Sequence, residues 1–596
     1  MKKIIFFILA LSLFYACDME ELPKAQVSKK PVFGSETGLK MYTNSFYEVF
    51  PGATTIYSNS YYIALNQVIK YFTENGFSPE ESSGWSWGTL RNINYFIVNC
   101  SDESVPLDIR NNYIGIAKFF RAYFYFEMMK RFGDLPWIDH PLGVDDPLLY
   151  ASRDKRSVIV EKIKEDLDFA IDNIKTKRDQ SCSTITSSVA AALKSRICLW
   201  EGTYRKYHTS AGLQSSADQW LQEAINAAQY VMNSGYSIYT ATEEYRTVSG
   251  HTDAGIDKSY RQLFVSKVPI SSEVLYAVTF NGSLGIVHSG NRRWTSVTLG
   301  SCPSLTRSFV NTYLMKDGTA FTDKVDYAAM PFTEECKNRD TRLSQTIITP
   351  GYTRISGGRT IQTPPNYAYA ITGYHTCKFT LDDTQYDNVD ICDNNVILFR
   401  YAEVLLNYAE AKAEMGTLTD DDWSKTIGKL RSRAGITGGL NQKPTKVDQY
   451  LKNRFFSNIS NPEILEIRRE RAIELSFEGF SWSDICRWKV GELVTNVWDG
   501  IYVPELDVPY DMNGDGTLDV CFTKNLTPNK IPGVYYLYVG EKLANGAINN
   551  AQLDSDGHTL VFMKDQKRTW NDKLYFYPIP AVDLVKNPNL GQNTGW

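Results

Sequence analysis

The chain has 596 residues, 22% of them charged, and carries a net charge of -5 with a pI near 5.9. No basic stripe interrupts that balance, which argues against a nucleic-acid partner, because binding phosphates calls for a basic face. A mean hydropathy of -0.31 with 43% apolar residues describes a globular body, and beyond the first residues no stretch is apolar and long enough to cross a bilayer.

The chain opens on MKKIIFFILALSLFYAC. Lys2 and Lys3 make a positive n-region, and Ile4 to Phe14 form an apolar run too short for a span. Ala16 is the small residue before a cleavage point, and Cys17 stands where a lipid-accepting cysteine would stand, followed by Asp18, Glu20, Glu21 and Pro23. The expected organisation is a signal peptide over 1–16, a lipidated N-terminus and flexible tether over 17–35, and a single body over 36–596. Acyl chains on Cys17 would hold that body on a membrane without crossing it. Nine further cysteines, at 100, 182, 198, 302, 336, 377, 392, 486 and 521, form no C-x-x-C and cannot all pair, so scattered thiols are expected.

Helical periodicity then comes in blocks. Ala117, Phe120, Phe124 and Met128 recur at three- and four-residue spacing, as do Val160, Ile163, Leu167, Ala170, Ile171 and Ile174. Leu193, Ile197, Trp200 and Tyr204 give a third block, and Trp220, Ala224, Ala227, Ala228 and Val231 a fourth. Tyr401, Leu405, Tyr408 and Ala409 open another helix, followed by one over about Trp423 to Ala434. One-faced helices with alanine-rich contacts predict a mainly α fold in which tetratricopeptide-like helix pairs form the scaffold. Between them, Gly250 to Tyr313, Thr349 to Asn395 and Thr495 to Asp572 lack that period and read as long loops with a few short strands. Loops of that length usually carry the function.

Four segments then carry a family resemblance. They are AKFFRAYFYFEMMKRFGDLPWI at Ala117 to Ile138, RYAEVLLNYAEAKAEMG at Arg400 to Gly416, IRRERAIELSFEGFSWSDICRWKVGE at Ile467 to Glu492, and LYFYPIPAVDLVKNPNLGQNTGW at Leu574 to Trp596. Together, in this order, they resemble the SusD/RagB family of nutrient-binding outer-membrane lipoproteins of Bacteroidetes. The resemblance implies an N-terminal region over 36–240 and a C-terminal one over 270–596. It also implies a lipid-anchored, surface-exposed protein that captures an oligosaccharide, or in some members a peptide, and delivers it to a SusC-like TonB-dependent transporter.

The charged spacing within these motifs has its own reading. Arg400, Glu403, Asn407, Glu410 and Glu414, and Glu470, Glu474 and Glu478 beside Arg468, Arg469 and Arg471, can lace helices by ion pairs. Carboxylates stacked along one helix flank no sugar-sized cleft, so they do not make a glycosidase pair. No H-E-x-x-H, G-x-S-x-G, P-loop or G-x-G-x-x-G occurs. Binding is therefore expected rather than catalysis, with no cofactor required. The rivals are a surface glycoside hydrolase and a helical adaptor that binds only protein or peptide.

Asp511, Asn513, Asp515, Thr517 and Asp519 reproduce the opening of a calcium loop, with Gly516 at the sharp turn; Phe522 stands where an EF-hand has its bidentate Glu. A structural calcium, not a sensor, is the expectation. For ligand contact the candidates are Trp294 with Arg292 and Arg293 on a Gly/Ser-rich loop, a stacking face beside guanidinium donors, and Trp85 and Trp87 as alternatives. The family resemblance extends through Arg91 and Asn94, which implies packing for at least one of that tryptophan pair.

Overall fold

The computed structural model describes residues 29–52, 60–241, 245–246, 252–253, 256–296 and 302–596. Cys17 and the expected signal peptide over 1–16 lie outside the described residues. Within the stretch expected as a tether, Lys29–Phe33 (α1) is helical and Phe33 is buried against Tyr42 and Phe96. Helix α2 (Glu36–Asn44) follows, capped by the Ser35 side chain, and α3 (Gly88–Asn99) packs beside α4 (Leu107–Phe132).

The aromatic block becomes α4, which starts after Pro106 and stops at Gly133, whose φ of +77° a side chain would resist. Helices α5 (Arg156–Asn173), α6 (Ser187–Tyr207) and α7 (Ala217–Met232) follow in the predicted order, each packing on the one before. Thr186 caps α6 by accepting from the Val189 amide. Helices α6 and α7 approach closely at Gly202, where an added Cβ would lie 2.7 Å from Leu221 Cγ, and that contact needs the missing side chain.

Three departures from periodicity follow. Ile256–Val265 (α8) is a helix inside a predicted loop; its apolar face of Tyr260, Leu263 and Phe264 is interleaved with buried Arg261 and Gln262, which hides the pattern. Gly290–Trp294 (α9) is a helical turn where a loop is expected. The helix expected over Trp423 to Ala434 breaks at Thr426 into Asp420–Lys425 and Ile427–Arg433, and Gly428 there passes so close to the Leu440 carbonyl that a Cβ would clash.

Helix α10 (Tyr401–Glu414) packs on α6, α7 and α11 (Pro462–Glu474), and α12 (Ser481–Trp488) packs on α6. The charged ladders do what their spacing implies, mostly between helices. Glu403 takes Arg196 of α6, Glu410 takes Arg487 of α12, and Glu414 accepts from Tyr207. Arg400 itself ends strand β2 rather than lying on α10. Glu474 sits among Arg342, Arg400 and Arg433; burial would raise its pKa, but the three guanidiniums hold it well below the usual carboxylate range. Such buried charges fix geometry more than they add stability, since desolvation offsets much of the attraction.

Strands are short. β1 (Val274–Val278) pairs antiparallel with β2 (Val396–Arg400). Near the C-terminus β3 (Trp498–Tyr502) joins one small sheet, while β4 (Pro509–Tyr510), β5 (Val520–Thr523) and β6 (Tyr535–Tyr538) form a second. β7 (Ala551–Leu553) and β8 (Thr559–Phe562) complete the first, in the order β7-β8-β3. One hydrophobic core runs from Phe33 to Leu590, so the helical and loop-rich halves share an interior. The nine described cysteines are all free thiols. No helix among the described residues is long and apolar enough to cross a membrane.

Candidate ligand-binding site

A cleft of about 740 Å³ opens between the C-terminal half of α4, the middle of α6, strand β2 and the segment leading into α12. The 3.6-residue period places Phe124, Glu127, Met128 and Arg131 of α4 along one stripe that faces it. Arg196, Leu199 and Trp200 come from α6, Phe399 from β2, Trp482 from the start of α12, and Phe480 from the turn between α11 and α12. That turn is sharp because Phe477 and Gly479 both take left-handed backbone, at φ +61° and +86°. Gly84, Ser86 and Thr89 line the opposite rim, and Tyr577 enters from the C-terminal segment.

The deeper charges in these walls are spent on one another. Arg196 holds Glu403 through Nε and Nη2 at 2.6 and 2.7 Å and lies over the Phe399 ring at 4.2 Å. Burial, which would lower its pKa, is outweighed by that carboxylate. Asp484 accepts from Arg471 and Arg487, both at 2.8 Å, and Glu478 is held by Arg400 and Lys378. Burial depresses the Lys378 amine to about 8. Carboxylates clamped in this way cannot serve as a paired acid and nucleophile for glycoside cleavage. The chemistry on offer is aromatic faces beside fixed donors and acceptors, which is binding chemistry.

The predicted contact residues separate. Trp294 is 5% exposed, stacked on Phe379 at 5.3 Å between ring centroids and edge-on to Phe477, so its face is not open to a ligand. This corrects the expectation of a stacking platform there: the Gly/Ser-rich segment folds into α9 and turns the indole inward. Arg292 reaches Asp390 at 3.4 Å, and Arg293 likewise has its own contacts. Trp85 and Trp87 are half-buried, packed edge-on to each other at 5.2 Å and onto Phe132 and Phe124. They buttress the cleft, because the rim residues that alternate with them, Gly84 and Ser86, are the ones that line it. Sequence reasoning missed Phe480, Trp482, Arg131 and Tyr577 as site residues. They lie inside the family motifs, and no local spacing marks which of those aromatics face a cavity.

The acidic loop is a turn built on its own hydrogen bonds. Asp511 accepts from the amides of Gly514 and Gly516 at 2.7 and 2.8 Å, Asp515 from Thr517 at 2.7 Å, and Asp519 from Met512 at 2.7 Å. Burial, then Asp511 and Asp515, push the Asp519 carboxyl above its usual pKa. Among the described residues no group of three or more His, Cys, Asp or Glu is gathered to hold a metal.

A family model described as the SusD family matches residues 278–596, more than half of the chain. The chain belongs to the SusD family. SusD-like protein P2 of Formosa agariphila is 23% identical over 557 residues, covering 89% of this SusD-family chain and 99% of that relative. A crystal structure of a SusD-like protein from Bacteroides fragilis superposes at a TM-score of 0.67 with 20% identity, covering 97% of this chain and all of that one. A SusD-like carbohydrate-binding protein from the same species gives a TM-score of 0.66 at 19% identity, covering 94% of this chain and all of its own. A surface glycan-binding protein of Bacteroides fluxus gives 0.55 at 16%, covering 94% of this chain and all of its own. These likenesses establish the SusD fold for the chain, mainly helical with small sheets.

Proposed function

We propose that this protein captures a glycan at the outer-membrane surface, held there by lipid on Cys17, and passes it to a SusC-like TonB-dependent transporter. The observation that carries the reading is the 740 Å³ cleft, walled by Phe480, Trp482, Trp200 and Tyr577 with its deeper carboxylates tied to Arg or Lys. Two structural neighbours are described as carbohydrate-binding and glycan-binding proteins. The function is binding rather than cleavage.

Isothermal calorimetry of the mature chain against a glycan panel tests the proposal. At least one oligosaccharide should bind, and Trp482→Ala should weaken it about five-fold or more, since one aromatic stack is worth about 1 kcal/mol. Release of reducing ends would instead make the protein a surface hydrolase. A panel without a single binder would leave the protein-only adaptor standing.

A further inference from the structure

Among the basic side chains that line the cleft, Arg131 stands apart. Lys130 holds Glu127 at 2.8 Å, Arg196 holds Glu403, and Arg471 and Arg487 share Asp484. No carboxylate among the described residues pairs with Arg131, and its Nε is buried without a hydrogen-bond partner. Its guanidinium rests on the Tyr577 ring, 4.5 Å from the centroid, and that ring is stacked in turn on Tyr71 at 4.3 Å. Phe132 flanks it at 5.3 Å. Gly84, at φ +87°, faces the group, with the guanidinium carbon 3.5 Å from where its Cβ would stand, an ordinary van der Waals contact.

A guanidinium laid flat on an aromatic stack is already oriented, so little freedom is lost when its fork meets an oxyanion. Without an acidic partner it also has no bond to surrender first. The rest of the molecule does not favour anions: the net charge is -5, and Glu48 is exposed at the rim. Attraction for a negative group must therefore be local to Arg131.

We propose that the cleft selects glycans bearing an anionic substituent, the carboxylate of a uronic acid or a sulfate ester, and that Arg131 is the residue that grips it. This rests on the glycan-binding reading above and adds the substrate class to it.

The test compares three oligosaccharides of matched length on the mature chain by calorimetry: one uncharged, one bearing uronate, one bearing sulfate. At low salt one of the charged pair should bind about ten-fold or more tightly than the uncharged chain, as a charge-assisted hydrogen bond implies. Which of the two wins identifies the substituent. The advantage should shrink at high salt, and Arg131→Gln should bring the charged chain down to the level of the uncharged one, with Arg131→Lys intermediate. If Arg131→Gln does not fold, the wild-type preference and its salt dependence decide the matter. Equal binding of all three by the wild type, a preference that survives Arg131→Gln in a folded protein, or a preference indifferent to salt would overturn the proposal while leaving glycan binding in place. Binding of none of the three, nor of any glycan in the wider panel, would overturn the glycan reading itself.

Discussion

Glu410 accepts from both terminal nitrogens of Arg487, at 2.5 and 2.7 Å, and from the indole of Trp488 at 2.7 Å, all out of contact with water. Burial alone would raise its pKa, but Arg487 outweighs burial and brings the carboxyl from 4.5 to about 2. A depressed acid contributes stability that is present above its ordinary pKa and is lost as pH falls through the folded value. Urea unfolding followed between pH 7 and pH 2 should therefore show a loss of stability below about 4.5 that Glu410→Gln flattens. The variant should also lose about 3–5 kcal/mol at neutral pH, because it breaks a buried ion pair and leaves Arg487 only the Asp484 carboxylate that it shares with Arg471. Trp294 is the contrasting residue: Trp294→Ala should cost about 3–5 kcal/mol as a cavity in the core. Glycan affinity measured on the protein that remains folded should not change. The ladder was legible in the sequence because i, i+3 and i+4 spacing survives in any helix. The orientation of Trp294 was not, because a short glycine-rich segment carries no period that says which side faces in.

At the scale of elements, the helices of the first half were readable from their apolar spacing, since one stripe of each had to be buried. Helix α8 and the break at Thr426 were not, because buried Arg261 is matched by Asp382 and the break depends on how closely Gly428 approaches Leu440. The acidic turn between β4 and β5 lies between these cases. Its spacing reads as a calcium loop, whereas in the fold it closes on its own amide bonds. The Asp519 carboxyl is repelled by Asp511 and Asp515, and a cation would relieve that repulsion. Structural calcium there remains a proposal with a direct readout: added calcium should raise the melting temperature, and chelation should lower it. A site filled at one hundred times Kd stabilises by about 2.7 kcal/mol. Asp511→Ala with Asp515→Ala should abolish the response. A wild-type melting curve indifferent to calcium would leave the turn with no metal role.

At the scale of the whole molecule, the cleft could not be read from sequence because its walls meet only in three dimensions. Arg131, Arg196, Phe480 and Tyr577 lie far apart along the chain and are brought together by α4, α6 and the turn before α12. Closing a barrel mouth with such a body would bury surface that neither partner buries alone, so ligand should dissociate more slowly from a membrane complex than from the isolated protein. The proposed anchor makes this testable in the cell. Cys17→Ser removes the thiol that a thioether needs, so fatty-acid label should be lost and the protein should leave the membrane fraction or remain unprocessed. Wild-type protein expressed from its own locus and drawn from membranes in mild detergent should bring a TonB-dependent barrel with it. The proposed lipid would supply proximity and not the contact, so the Cys17→Ser body added to those membranes should still bind the barrel, at higher concentration. Recovery of wild type alone would remove the transporter from the proposal and leave a lipid-anchored glycan-binding protein.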